Sequence, residues 1–103
     1  MGISHSISKP TSSEITVVIL HNAIGCTKID SETKRHAETY EIICGSKIYN
    51  LDLYWHENGS FCVVDLYEII GNYTKRAINR TERISTNEVL SKIATICEIG
   101  IKT

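Results

Sequence analysis

The stretch NLDLYWHENGSFCVVDLY, residues 50–67, predicts two β-strands joined by a tight turn. Asn58-Gly59 at its centre is a strong signal for a two-residue hairpin loop, and apolar and polar residues alternate on either side of it. With that loop, Asp52 lies directly opposite Asp65 on one face of the hairpin. The same register places apolar pairs on the other face: Leu51 with Leu66, Leu53 with Val64 and Trp55 with Cys62.

A second turn, predicted at Gly45-Ser46, extends the hairpin to a three-stranded meander near residues 38–44, 47–57 and 60–66. Carried through this turn, the register again puts apolar pairs on one face, which are Tyr40 with Leu51 and Ile42 with Tyr49. The polar pairs on the other face are Glu41 with Asn50 and Thr39 with Asp52. Two independent turns therefore agree on which face of the sheet is the core face.

The remaining apolar patterns are helical or continuous. Residues 66–79 repeat apolar side chains at helical spacing, and residues 85–88, STNE, match a capping box. This box opens a second helix that ends near Gly100, with an apolar stripe of Val89, Ile93, Ile96 and Cys97. The β-branched run 14–20, EITVVIL, predicts a strand buried on both faces. Residues 21–37 predict mostly a loop, with one short strand near CTKI.

These elements predict an α+β fold: a single small domain, residues 14–103, with an antiparallel meander of three to five strands packed on one face by two C-terminal helices. Residues 1–13, which are rich in Ser and contain the single Pro, predict a flexible lead-in. We predict no secretion signal, because residues 1–13 are polar, and no apolar run reaches the roughly 20 residues that span a bilayer. We therefore expect a cytoplasmic protein with reduced cysteines, of which Cys44 and Cys62 point into the core.

Charge is distributed unevenly along the chain. Residues 38–68 contain six acidic side chains and Lys47 as their single base, a net charge of −5, whereas residues 69–103 have a net charge of +3. We therefore predict a non-enzymatic binding module, of the accessory, inhibitor or immunity type, that engages a basic protein partner. Its binding residues would lie on the non-core face of the sheet: Glu41, Asn50, Asp52, Tyr54 and Asp65.

The two opposed aspartates, Asp52 and Asp65, which we call the acidic pair, have other interpretations. Like charges directly opposite on a sheet destabilise it by up to about 1 kcal/mol, which a solvated pair without a function can tolerate. Paired carboxylates also hold Mg²⁺, but no metal-binding partner lies at a suitable spacing beside them, so we predict no metal and no cofactor. A nucleophile, a base and oxyanion donors cannot be assembled, so we predict that the chain is not an enzyme.

The segment KRAINRTER, residues 75–83, supports a different function. Its four basic side chains would contact phosphates from a helix and the turn after it: Lys75, Arg76, Arg80 and Arg83. The next helix is nearly neutral and an aromatic stacking platform is missing, so nucleic-acid binding is a less favoured alternative. Affinity that does not fall with salt would refute it. An exposed edge strand could also pair two copies into a homodimer.

The N-terminus MGISHS matches the pattern for N-myristoylation, with Gly2 as the acceptor once Met is removed. A further alternative is therefore a lipidated, membrane-associated accessory protein, for example of a virus. One acyl chain anchors a protein only weakly, so a second membrane signal would be needed. Mass spectrometry of protein from a host with the acyltransferase would show about 210 Da added at Gly2.

Overall fold

The computed structural model describes residues 9–32, 37–72 and 74–101. It shows a single α+β domain in which an antiparallel sheet packs against two helices, so the predicted fold class is confirmed. One helix is C-terminal, and the other lies at the start of the domain. In chain order the elements are α1 (Ser12–Leu20), β1 (Gly25–Glu32), β2 (Ala37–Cys44), β3 (Lys47–Trp55), β4 (Phe61–Ile69), β5 (Lys75–Arg80), β6 (Ile84–Ser85), a 3₁₀ turn (Thr86–Glu88) and α2 (Val89–Gly100).

The strands follow one another across the sheet in the order β1-β2-β3-β4-β5, and the short β6 pairs with the start of β4. Both helices pack on one face of the sheet, which we call the helical face. Their buried side chains form one core with every second residue of the central strands. The largest contributors are Ile15, Ile19, Val89 and Ile93 from the helices and Tyr40, Ile42, Tyr49, Leu51, Leu53 and Leu66 from the strands.

The predicted register of the meander is confirmed. Between β2 and β3 the structure pairs Thr39 with Asp52, Tyr40 with Leu51, Glu41 with Asn50 and Ile42 with Tyr49. Between β3 and β4 it pairs Leu51 with Leu66, Asp52 with Asp65, Leu53 with Val64, Tyr54 with Val63 and Trp55 with Cys62. A slip of one residue would have moved every core side chain to the opposite face, so the acidic pair is correctly placed on the face opposite α1 and α2.

The first turn has the predicted length. Cys44 pairs with Lys47, which leaves two loop residues, and Gly45 has a φ of +64°, as the first central position of a type II′ turn requires.

The second turn is longer than the predicted two residues. The backbone N–H of His56 donates to Phe61 O at 2.9 Å and that of Gly59 donates to His56 O at 2.8 Å, so residues 57–60 form a four-residue loop. Asn58 stabilises this loop because its Oδ1 accepts from the backbone N of Ser60 at 2.9 Å and from Ser60 Oγ at 2.6 Å. The predicted two-residue loop and the observed four-residue loop are both centred on Asn58 and Gly59, so the strands pair as predicted.

The prediction of a strand at residues 14–20 is wrong, because these residues belong to α1. A capping box starts the helix: Glu14 N donates to Thr11 Oγ1 at 3.1 Å, and Thr11 N donates to Glu14 Oε1 at 2.9 Å. Ile15 and Ile19, one turn apart, are buried, whereas Val17 is exposed. α1 thus begins within the segment predicted as a lead-in, of which residues 1–8 lie outside the described residues.

The prediction of a helix over residues 66–79 is also wrong. β4 continues to Ile69, and a turn in which Ile70 N donates to Thr74 O at 3.0 Å leads into β5. The apolar residues near Leu66 fit the helical and the strand period equally, and pairing with β3 decides between them. β1 is likewise longer than the short strand predicted near CTKI, with eight residues.

The helix α2 has the predicted position and buries the predicted stripe of Val89, Ile93, Ile96 and Cys97. The predicted capping box is not formed, because Ser85 is part of β6 and its Oγ donates to Asn87 Oδ1 at 2.7 Å. The helix ends at Gly100, as predicted. A Cβ on Gly100 would lie 2.8 Å from Leu66 Cδ2 and 2.9 Å from Ile78 Cγ2, so glycine lets α2 approach the sheet closely.

Candidate binding site on the outer face

The second face of the sheet, which we call the outer face, has no helix packed on it within the described residues. In the observed register its central strands present Thr39, Glu41 and Ile43 from β2, Ile48, Asn50, Asp52 and Tyr54 from β3, and Val63, Asp65, Tyr67 and Ile69 from β4. The five residues predicted to bind a partner therefore share one face and lie on three adjacent strands.

The acidic pair interrupts the burial pattern of its strands. Apart from these two residues, the buried side chains of β3 and β4 all belong to the helical face. Asp52 is 7% exposed and Asp65 is 4% exposed, whereas Ile43 and Ile48 on the same face are 41% and 40% exposed. The expectation that water solvates the pair is therefore wrong. The outer face buries its central charges and exposes aliphatic side chains, the reverse of an ordinary solvated sheet face.

The two carboxylates differ in their hydrogen bonds. Asp52 Oδ1 accepts from Thr39 Oγ1 at 3.0 Å, and its Oδ2 accepts from Tyr54 Oη at 3.3 Å. Asp65 Oδ2 accepts from Tyr67 Oη at 3.3 Å and lies 3.7 Å from Arg80 Nε. Asp65 Oδ1 is buried and has no hydrogen-bond partner among the residues that the structure describes. One acceptor of the acidic pair thus lacks a hydrogen bond. Buried polar atoms without a hydrogen-bond partner are rare in folded proteins.

The site is built from a sequence repeat. Residues 52–54 and 65–67 are both Asp-Leu-Tyr, and because the two aspartates oppose each other in an antiparallel pair, a local two-fold axis relates the segments. Tyr54 and Tyr67 therefore lie at opposite ends of the pair, and each donates its hydroxyl to the aspartate of its own strand. Burial and the neighbouring carboxylate of Asp52 raise the pKa of Tyr54 to about 12. Burial and Asp65 also raise the pKa of Tyr67, so both hydroxyls stay protonated donors at neutral pH.

The acidic residues of segment 38–68 do not all reach the outer face. Glu38 accepts from Trp55 Nε1 at 2.7 Å and forms an ion pair of 3.0 Å with Lys28. Glu68 is buried on the helical face, where it pairs with Arg76. Of the six, Glu41 and the acidic pair lie on the outer face, and the remaining one lies in the exposed loop 57–60. The face is therefore distinguished by its two central carboxylates more than by its total charge.

The basic residues of segment 75–83 lie on β5 and the link after it, so their predicted position on a helix is wrong. Arg76 binds Glu68 on the helical face, and Arg80 approaches Asp65 on the outer face. Lys75 Nζ lies 5.6 Å from the ring centroid of Tyr67, and the guanidinium of Arg83 lies 4.8 Å from that of Phe61. Arg76 therefore lies on the helical face, whereas Lys75 and Arg80 lie beside Tyr67 and Asp65 on the outer face.

The remaining candidates are the cysteines, a possible metal site and Gly2. Cys44 and Cys62 are buried in the core, as predicted, and burial raises the pKa of Cys62 to about 12, so its thiol stays protonated and unreactive. Within residues 9–32, 37–72 and 74–101, no three His, Cys, Asp or Glu side chains are grouped as a metal site requires. Gly2 lies outside the described residues.

Two parts of the site were missing from the sequence-based prediction. The predicted helix over residues 66–79 includes Tyr67, although the Asp-Leu-Tyr repeat in the confirmed hairpin register places it beside Asp65. Arg80 lies just after the predicted helix, so its ion pair with Asp65 does not follow from the sequence-based prediction. The exposed isoleucines, Ile43 and Ile48, follow from the register but were not recognised as part of the surface.

Comparisons of the chain with protein-family models, with curated proteins and with solved structures found no match. No helix in the described part of the chain has both the length and the apolar character that crossing a membrane requires. Function is therefore inferred from the geometry of the outer face.

Proposed function

We propose that this chain is a small non-enzymatic binding module, of the accessory, inhibitor or immunity type, that engages a basic protein through its outer face. The observation that supports this most directly is the unsatisfied Oδ1 of Asp65, buried opposite a second carboxylate. A buried charged acceptor without a partner costs about 1–3 kcal/mol. A positive group from a partner would supply the missing hydrogen bond and offset the repulsion between the carboxylates.

The surroundings of the acidic pair suit a protein partner. Ile43, Ile48 and Tyr54 are each at least 40% exposed on the same face, and they provide apolar area next to a small number of buried polar groups. Interfaces commonly combine apolar and aromatic contacts with a few central polar groups that water does not reach. A basic protein would meet apolar and negative groups on one surface, with encounter accelerated by charge.

Site-specific photo-crosslinking tests the proposed surface. A benzophenone amino acid at Ile48 should crosslink a protein of the source cell whose contact surface is basic. The control is the same residue at Val17, which is 56% exposed on α1 and points away from the outer face. Equal crosslinking from both positions, or an acidic contact surface on the captured protein, would contradict the proposal.

Association kinetics with the purified partner then test the role of charge. The double variant Asp52→Asn/Asp65→Asn should associate more slowly at low ionic strength and show a weaker dependence on salt. Glu57→Gln, which removes one charge from the exposed loop, should change the rate much less. An unchanged association rate of the double variant at low salt would show that the acidic pair does not attract the partner.

A further inference from the structure

The chemistry of the acidic pair also specifies which cationic group it receives. We infer that the outer face binds the guanidinium group of an arginine side chain, with Asp52 and Asp65 as acceptors and the rings of Tyr54 and Tyr67 on either side. This inference rests on the proposed function, because the arginine belongs to the basic partner.

The acceptors match a planar donor with several N–H groups. Asp65 Oδ1 is free of partners in the described residues, and Asp65 Oδ2 accepts from Tyr67 at the long distance of 3.3 Å. A guanidinium presents five N–H donors in a fixed fork and binds both oxygens of one carboxylate at once. Its remaining N–H groups can point across the strand pair to Asp52, which lies directly opposite.

Burial favours arginine over lysine at this position. Both carboxylates are more than nine-tenths buried, so a ligand must give up its water to reach them. An ammonium is a compact and strongly hydrated charge, whereas a guanidinium is more weakly hydrated and stacks on aromatic rings. Tyr54 and Tyr67 flank the pair and provide such rings.

The chain already contains an arginine at this carboxylate. Arg80 approaches Asp65 Oδ2 with its Nε at 3.7 Å, an ion-pair distance longer than a hydrogen bond, and its side chain is 70% exposed. Arg80 therefore neutralises Asp65 only in part and leaves Oδ1 unsatisfied. A partner's arginine would compete with Arg80 for the same carboxylate, so removal of Arg80 should strengthen binding.

Access to the carboxylates requires one tyrosine to move. The hydroxyl bonds of Tyr54 and Tyr67 are 3.3 Å long, compared with about 2.7–2.8 Å for a typical O–H···O bond. Tyr54 is also 44% exposed, so rotation of its side chain breaks one weak hydrogen bond and few packing contacts. The tyrosine hydroxyls thus bind the acidic pair in the free protein, and the rings can flank a ligand after rotation.

A titration of the ¹⁵N-labelled full chain followed by NMR tests this inference with three probes: N-acetyl-arginine amide, N-acetyl-lysine amide and N-acetyl-citrulline amide. Citrulline has nearly the shape of arginine without its charge. Arginine amide should shift the amide signals of residues 50–54 and 63–67 with saturation. Citrulline amide should bind at least about tenfold more weakly, because it loses charge-assisted hydrogen bonds.

Variants show whether the response comes from the acidic pair. Asp65→Asn should abolish the saturable shifts, and Glu57→Gln should leave them unchanged. Arg80→Ala should tighten arginine binding several-fold, and it should do so more than Arg83→Ala, which removes the same charge from a position beside Phe61. Equal effects of the two arginine variants would overturn the idea of competition at Asp65 and, with it, the inference.

The remaining outcomes separate this inference from the proposed function. Equal affinities for arginine amide and lysine amide would overturn the preference for guanidinium, while the crosslinking result on a basic partner would stand. A stronger saturable shift with Mg²⁺ or Ca²⁺ alone than with arginine amide would also overturn the preference for guanidinium. The crosslinking result on a basic partner would again stand. Absence of any response to the cationic probes would overturn the inference, and a crosslinked partner without a basic surface would overturn the proposed function itself.

Discussion

Replacement of Asp65 by asparagine should make the free protein more stable. The change keeps the size of the side chain and removes one of two opposed charges, and the new NH₂ group can take the position of the unsatisfied Oδ1 and donate to Asp52. Relief of an unpaired buried charged acceptor is worth about 1–3 kcal/mol, and relief of the cross-strand repulsion adds up to about 1 kcal/mol.

Two losses reduce this gain. The ion pair with Arg80 disappears, but with a 70% exposed arginine at 3.7 Å it is worth between about 0 and 1 kcal/mol. The hydrogen bond from Tyr67 also weakens when its acceptor loses its charge, by about 1 kcal/mol. We therefore expect a net rise of about 1 kcal/mol in the free energy of unfolding, which corresponds to a rise of about 4 °C in Tm.

Urea unfolding at pH 7 measures this change through the fluorescence of Trp55, the single tryptophan, which is buried in the core. Asp52→Asn should stabilise the protein less, because both oxygens of Asp52 already accept hydrogen bonds and its amide would lose one of them. The double variant should gain less than the sum of the single variants, since the repulsion can be removed only once.

Two results would refute this reasoning. A loss of stability in Asp65→Asn of 1 kcal/mol or more, which is about the size of the expected gain, would show that the carboxylate is better satisfied than its contacts indicate. Strict additivity in the double variant would show that the two charges do not repel each other. Glu57→Gln should leave the free energy of unfolding unchanged, since its side chain is in the exposed loop.

Three further predictions concern the rest of the fold. Gly100→Ala should lower the free energy of unfolding by about 1–3 kcal/mol because its Cβ would overlap the side chains of Leu66 and Ile78 on the sheet. Gly71→Ala, whose Cβ would meet only Thr74 Oγ1 at 4.0 Å, should be nearly neutral in the same urea experiment. The raised pKa of Tyr54, from 10.0 to about 12, gives stability that is complete below pH 10 and lost as pH rises towards 12. Ultraviolet titration of the native protein should show phenols that ionise near pH 12, and Tyr54→Phe should remove one of them while Tyr40, whose pKa is also raised to about 12, remains. Cys62 should react with a thiol reagent only after unfolding, whereas the partly exposed Cys26 should react in the native state, as peptide mapping by mass spectrometry would show.

The sequence predicted the register of the meander because two kinds of signal agreed. Turn residues at Gly45 and Gly59 located the reversals, and the alternation of apolar residues indicated which side faces the core. The second loop was longer than predicted without any effect on the pairing, because both lengths share one centre. The turn residues and the two-residue alternation of apolar and polar side chains were therefore sufficient to predict three strands and the position of the acidic pair.

The helices could not be assigned so reliably from local patterns. Residues 14–20 have strong β-propensity, but the capping box of Thr11 and Glu14 starts a helix, and the sheet accommodates other strands instead. Near Leu66 the apolar spacing fits either period, and pairing with β3 decides between them. In both places the decision depends on tertiary packing that a short window of sequence does not contain.

Burial of the acidic pair was likewise beyond the sequence. The register showed that the aspartates oppose each other on the face that does not form the core, and this position alone predicts that water solvates them. The hydroxyls of Thr39, Tyr54 and Tyr67 donate to them, and Arg80 approaches Asp65 from β5. These are side-chain conformations, which no pattern of residue types determines.

The inverted outer face has an evolutionary consequence. Aspartates that weaken the fold, beside isoleucines that gain nothing from exposure, would be replaced by neutral drift in a lineage under selection for folding alone. Their persistence in descendants of this chain, scored at Asp52 and Asp65 separately from the core, would therefore record selection on what the face does in the cell.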